Sequence, residues 1–328
     1  MSPTEGGPTE GGPPPGTGLL VMAHGTPRSL GEIEAFYTEI RRGQPPTAEQ
    51  LAELTGRYRA IGGTSPLNER TRAQVDGIAG ALDARAPGRL TVVGGAKFAA
   101  PRIEEAVAEL VAGGVDRIIG LVLAPHSSTV SVGEYARRAR EAISSGPAPP
   151  PGWQMIDHWY DAPGFETLMA DRVRAARAGL ESTAGPVRVL FTAHSVPARV
   201  VAAGDGYADQ LEASARAVAG AAGVDDWSVA WQSAGRTDDE WLGPDVNAVI
   251  AGLPDLGYGG VLVCPLGFVS DHLEILYDID IEARATAEKA GLALARTASL
   301  NDDPLFCDLL AGVVLAVADA GRSPSGGG

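Results

Sequence analysis

Short, unbroken apolar runs alternate with longer amphipathic stretches along most of the chain. The runs LLVMA (19–23), LTVVGG (90–95), RIIGLVLAP (117–125), VRVLFTA (187–193), WSVAWQS (227–233), GVLVCP (260–265) and ALART (293–297) are apolar throughout, not at every second position. That pattern belongs to strands covered on both faces, as in a parallel sheet. Between them lie helix-length segments at 29–41, 66–86, 102–114, 131–145, 164–183, 207–222, 244–253, 271–290 and 303–321. Ser65 before Pro66 adds a helix-start signal, a capping hydroxyl followed by proline in the first turn. Strand–helix alternation of this kind predicts an α/β fold built from βαβ units. The cluster SSGPAPPPG (144–152) interrupts the pattern near the middle. The expected organisation is two similar doubly wound parallel-sheet domains with a cleft between them, at 18–148 and 149–302, followed by a C-terminal helix at 303–321. The Pro/Gly-rich start, 1–17, nearly repeats PTEGG and holds too little apolar surface to offset its ordering entropy, so a disordered tail is expected there, with a second flexible tail at 322–328.

Composition narrows the classes. Of 328 residues, 45% are hydrophobic, enough for extensive cores. Lys and Arg number 26 against 41 Asp and Glu, a net charge of −15 that argues against a nucleic-acid or anionic-membrane surface. Two cysteines, Cys264 and Cys307, exclude a disulfide-rich scaffold and any four-thiolate metal site within one chain. No apolar run approaches the ~20 residues of a membrane span. No signal peptide is visible, so a cytoplasmic protein is expected.

Open α/β sheets bind ligands beyond the carboxyl ends of their strands. Two strands end in histidine: 19–23 runs into His24-Gly25-Thr26-Pro27, and 187–193 into His194-Ser195-Val196-Pro197. A histidine so placed either satisfies a turn or faces a ligand. Strand 260–265 leads into CPLGFVSDHLEILYDIDIE (264–282), where Glu274, Asp278 and Glu282 fall at i, i+4 and i+8, one stripe of a helix. Such a stripe is either a solvated acidic face or a path for a divalent cation. No Lys or Arg within 265–282 pairs with it, and the interleaved Leu273, Ile275, Leu276, Ile279 and Ile281 require burial, which favours the cation. Arg41, Arg42, Arg57 and Arg59 form a local basic group in an acidic chain, either surface arginines or forks for carboxylate or phosphate. Neither GxGxxG nor GxxxxGK[ST] follows any strand, so no dinucleotide or NTP site is indicated.

The segments LLVMAHGTP, RRG, RYRAIGGTSPLNE, LAPHSSTVSVGEY, HWYDAPGF, FTAHSVP, WQSAGRTDDEWLGPDV, CPLGFVSDHLEILYDIDIE and LNDDPLF resemble, in order, the ferrochelatase family, and more closely its soluble bacterial branch acting on coproporphyrin III. HSVP followed about 80 residues later by GFVSDHLEILYDIDIE is the specific combination. The resemblance implies two Rossmann-like domains around a porphyrin cleft and insertion of Fe²⁺ as substrate in haem biosynthesis. By it, His194 and Glu274 are catalytic and contact the metal, with Asp278 and Glu282 continuing the metal line. His24, Arg41, Arg42, Arg57, Ser65, Lys97, Ser128, Thr129 and Tyr135 match cleft-lining, porphyrin-binding positions. Two departures stand out: His24 occupies a position where soluble relatives often carry tyrosine, and Phe98 one where close relatives carry histidine. With two thiols, no 2Fe–2S cluster and no tightly bound cofactor are expected. A monomer is expected, with coproporphyrin III as partner molecule and transient contact with an upstream porphyrin oxidase and a downstream decarboxylase. The competing readings are a non-catalytic haem- or porphyrin-binding protein of the same fold, and a chelatase preferring protoporphyrin IX or another metal. Retention of both His194 and Glu274 favours the enzyme, because binding alone needs no base beside a carboxylate.

Overall fold

A computed structural model describes residues 16–235 and 237–320. Among them, eight strands form two four-stranded parallel sheets. The first contains β1 (Gly16–Ala23), β2 (Leu90–Ala96), β3 (Val115–Val122) and β4 (Gly152–Ile156) in the order β2-β1-β3-β4. The second contains β5 (Val187–His194), β6 (Trp227–Gln232), β7 (Gly260–Cys264) and β8 (Ala293–Arg296) in the order β6-β5-β7-β8. The two halves therefore repeat one permutation, in which the first strand of each sheet lies between the second and the third. Leu20 pairs with Val93 on one side and Gly120 on the other, and Phe191 pairs with Val229 and Cys264. This is the expected α/β architecture, and it makes β1 and β5 the strands at which the winding reverses.

The helices, in order, are α1 (Ile33–Ile40), α2 (Ala48–Ala60), α3 (Leu67–Arg85), α4 (Ile103–Ala112), α5 (Val132–Ser144), α6 (Phe165–Ala184), α7 (Ala198–Ala202), α8 (Tyr207–Ala222), α9 (Val246–Gly252), α10 (Leu273–Leu276), α11 (Arg284–Lys289) and α12 (Pro304–Ala320). One core is shared by both sheets: Leu19, Val21, Ile119 and Leu121 join Val189, Phe191 and Leu262 around Trp159, Phe165, Phe306, Leu310 and Val314. Each such side chain contributes about 1.5–3 kcal/mol by leaving water. The shared core fixes one sheet against the other, so their carboxyl ends open on the same cleft. α12 closes the chain against α3, and Gly77 makes that approach possible, since a Cβ there would stand 2.5 Å from Cys307 Sγ. Cys307 and Cys264 are buried free thiols, raised by burial to about 11 and about 12.

Several boundaries differ from the sequence reading. Gly16 and Thr17, expected in the tail, open β1, while residues 1–15 and the tail at 322–328 lie outside the described residues. The Pro/Gly cluster does not separate the sheets, because Gly152–Ile156 follows it and pairs with β3. The first sheet thus extends past residue 148. α2 occupies a stretch read as a connection; Thr47 and Gln50 start it with a capping box. The segment at 271–290 is not one helix: α10 passes into a π-helical turn over Asp278–Ala283, where Glu282 N–H donates to Tyr277 C=O, before α11 resumes.

Candidate active site

The two strands that reverse the winding both deliver a histidine to the cleft. His24 follows β1, and Gly25 behind it adopts φ +81°; a Cβ there would stand 2.7 Å from Ala99 Cβ, so the chain turns sharply and leaves the ring facing the cleft. Gly25→Ala is expected to destabilise the fold by about 1–3 kcal/mol, through both the backbone strain and the clash, as a drop in melting temperature would show. His24 Nδ1 donates to Gly25 C=O at 2.9 Å, so Nε2 carries the lone pair. Phe98 and Phe36 wall the ring, with centroids 4.8 and 6.1 Å away. Although the ring can be reached from the cleft, the surrounding protein holds its pKa down to about 4, so it is neutral at physiological pH.

His194 ends β5. Its Nδ1 donates to Ser195 C=O at 2.5 Å, and Nε2 lies 3.6 Å from Glu274 Oε1. Burial would lower the imidazole pKa, but the Glu274 carboxylate outweighs it and raises it to about 9. Glu274 lies in the first turn of α10 and is flanked on its other oxygen by His272, Nε2 to Oε2 at 3.6 Å. Burial would raise its carboxyl, but the two histidines outweigh this and hold it well below the usual carboxylate range. Buried Gln232 fixes the backbone beneath: it accepts from Thr192 at 2.7 Å and donates to Glu274 C=O at 3.0 Å. The result is one carboxylate between two imidazoles, a third of its surface open to the cleft.

The acidic stripe has a partner the local sequence could not show. Arg57, on α2, donates to Asp278 Oδ1 at 2.8 Å, stands 3.5 Å from Glu282, and covers the Tyr277 ring at 4.6 Å. Asp278 also accepts from Ser233 Oγ. Burial raises Asp278 to about 6, the Arg57 charge opposing the rise and the Glu274 charge adding to it. Among the described residues, no three His, Cys, Asp or Glu side chains converge as a ready-made metal cage.

The remaining sequence-selected residues divide into four groups. Ser65 and Arg57 line the cleft with His24, Tyr58, His194, Ser233, His272 and Glu274, around a cavity of about 320 Å³. Arg41 and Arg42 stand nearby without an ion pair among the described residues; Arg41 lies over Tyr37. Lys97 lies over Tyr135 and Phe98, with nitrogen-to-ring distances of 4.8 and 5.3 Å. Burial lowers the Lys97 pKa; Glu134 opposes this, and the positive charges of Arg138, Arg137 and Arg42 add to it. Ser128 and Thr129 do not line the cavity: both are bonded to Asp205 of the other half. Sequence reasoning did not select His272, Tyr58 or Gln232 as site residues. His272 carried a signal, two positions before Glu274 just beyond a strand end, and Tyr58 sits between two arginines. Buried Tyr58 exchanges a 2.9 Å hydrogen bond with Thr26 and is raised by burial to about 12.

A two-sheet α/β protein with its cleft at both sets of strand ends has the fold of solved chelatases. The cobalt complex of the sirohydrochlorin chelatase SirB from Bacillus subtilis subspecies spizizenii superposes with a TM-score of 0.56 at 11% identity, over 94% of this chain and 98% of that one. The chain belongs to the ferrochelatase family of enzymes: the Ferrochelatase family profile matches residues 16–317. The ferrochelatase of Herpetosiphon aurantiacus is 43% identical over 302 residues, covering 91% of this chain and 98% of that protein. The coproporphyrin III ferrochelatase of Geobacillus thermodenitrificans is 43% identical over 303 residues, covering 91% and 95%. No helix among the described residues is long and apolar enough to cross a membrane.

Proposed function

We propose that the cleft inserts Fe²⁺ into coproporphyrin III, with His194 and Glu274 handling the cation and the pyrrole protons. The observation that carries this reading is the pair His194 Nε2 and Glu274 Oε1, 3.6 Å apart on the cleft wall. Insertion requires a group that attracts a dication and a base that removes two pyrrole protons. Glu274 keeps its charge between two imidazoles and supplies the first. Its charge also holds a proton on His194. An arriving Fe²⁺ competes for that carboxylate. Once the cation shares Glu274, His194 loses its partner, burial favours the neutral ring, and Nε2 releases its proton and gains a lone pair. The pyrrole protons then leave through Nε2 one after the other, each passed on to water, as the macrocycle nitrogens close on the metal. Asp278 and Glu282 extend the acidic line outward, with Arg57 spanning both. His24 offers a neutral imidazole from the first half to the macrocycle.

Coproporphyrin carries four propionates against the two of protoporphyrin, so it gains more from cations that lack a partner. Arg41, Arg42 and Lys97 form no ion pair among the described residues, and the mutual repulsion around Lys97 is relieved by an anion. Relatives named coproporphyrin III ferrochelatase support this choice. An anaerobic assay of Fe²⁺ with either porphyrin, followed by visible absorbance, tests it. Faster turnover of coproporphyrin III is expected. Preference for protoporphyrin IX overturns the four-carboxylate assignment, and tight haem binding without turnover of either assigns the cleft to binding, with His24 Nε2 as the iron ligand to examine.

A further inference from the structure

The loop that follows β3 is docked onto the start of α8, and α8 in turn holds the backbone of His194. Asp205 is the centre of the docking. Its Oδ2 accepts from Ser128 Oγ at 3.0 Å, from Thr129 N–H at 2.7 Å and from Thr129 Oγ1 at 2.8 Å. Its Oδ1 accepts from Tyr207 N–H at 3.1 Å, which ties the same carboxylate to the first residue of α8. Burial would raise the Asp205 carboxyl, but the four donors outweigh it and keep it ionised. Two further bonds fix the loop to α8: Ser127 N–H donates to Gln210 at 2.8 Å, and His126 Nε2 lies 2.7 Å from Ser214 Oγ. Ser214 Oγ already donates to Leu211 C=O, so His126 is the donor and its buried Nδ1 is left without a partner.

Tyr207 completes the path. Its side chain is buried between His126 and Trp231, and its hydroxyl donates to His194 C=O at 3.1 Å. A loop of the first half is thus joined to the histidine of the second by a continuous series: Ser128 and Thr129, the Asp205 carboxylate, Tyr207, the His194 carbonyl. His194 Nδ1 is spent on Ser195 C=O, so the direction of Nε2 toward Glu274 follows from where this peptide is held. We propose that Asp205 and Tyr207 are positioning residues that set His194 from the loop after β3, so that the loop's placement against the second half determines the aim of Nε2. The proposal deepens the reading of His194 given above and rests on it for its kinetic consequence only. Small displacements of a reacting group cost rate more than binding, which makes the loss fall on kcat.

Tyr207→Phe removes a single hydroxyl without changing shape and is the first test. In the full chain, kcat for Fe²⁺ insertion into coproporphyrin III is expected to fall about tenfold with KM for the porphyrin unchanged. At fixed pH, the ¹⁵N-histidine ring signals of His194, assigned by their absence in His194→Ala, are expected to move. Asp205→Ala is expected to do the same, and the double variant to be no slower than the slower single one, because both residues lie on one path. Unchanged kcat and unmoved ring signals in Tyr207→Phe overturn the proposal, as do losses that multiply in the double variant. Should the wild-type chain insert no metal, the reading of the cleft fails, while the ring signals of Tyr207→Phe still decide whether the relay exists.

Discussion

His194→Ala is expected to lower insertion by about 10²–10⁴-fold while leaving the fold intact. The size follows from what the residue supplies. Both pyrrole protons leave as the cation arrives, and Nε2 of His194 is the nitrogen presented to the cleft, since Nδ1 is occupied by Ser195 C=O. The fold survives for two reasons. The side chain of His194 is 39% exposed, so its removal opens no core cavity. Glu274 also keeps its second partner, His272 at 3.6 Å, so it is not left as an isolated buried charge. Porphyrin absorbance reports the rate and a thermal melt reports the fold. Near-normal turnover would move proton removal to another base, and His272 is then the one to replace.

The sequence made the architecture and the two histidines legible for the same physical reason. β1 and β5 are buried on both faces, so they read as unbroken apolar runs, and the residue after such a run stands at a carboxyl rim. β4 escaped because it is an outer strand whose GWQMI is only partly buried, which leaves no apolar run to see. α2 escaped because it is mostly polar and buries only Tyr58, so it carries little helical signature. The acidic stripe illustrates a different limit. A search for its counter-charge within 265–282 finds none, yet Arg57 reaches Asp278 from 221 residues upstream. The resemblance places Arg57 among the porphyrin-binding positions, and the structure sets it on the cleft wall while also pairing it with the acidic line. Asp205 is the same case in reverse: nothing in GDGYADQ announces that its carboxylate gathers Ser128 and Thr129. Pairings set by how one half packs on the other are properties of the tertiary fold, and no local pattern carries them.

Glu274→Gln is expected to move the titration of His194 from about 9 to near or below its ordinary 6.5, and to cut insertion by about 10²–10³-fold. Gln keeps the shape but loses the charge that opposes burial, so the imidazole becomes neutral earlier on the pH scale. The sign of the stability effect follows from linkage. His194 is raised on folding, so its contribution is fully present below 6.5 and is lost as pH rises through about 9. Glu274 is lowered on folding, so its contribution is present above 4.5 and is lost as pH falls through its depressed native value. Both contributions are complete only between 4.5 and 6.5, and there the wild-type chain should exceed Glu274→Gln in melting temperature by the widest margin. The margin should close as pH rises past about 9. Both side chains are about a third exposed, so solvent screens the pair and the margin is modest beside the kinetic loss. Titration of His194 by NMR in the two proteins separates the causes. A midpoint that stays near 9 in the variant would show that another anion, Asp278 being the nearest candidate, holds the proton, and would remove Glu274 from the role of partner to the base.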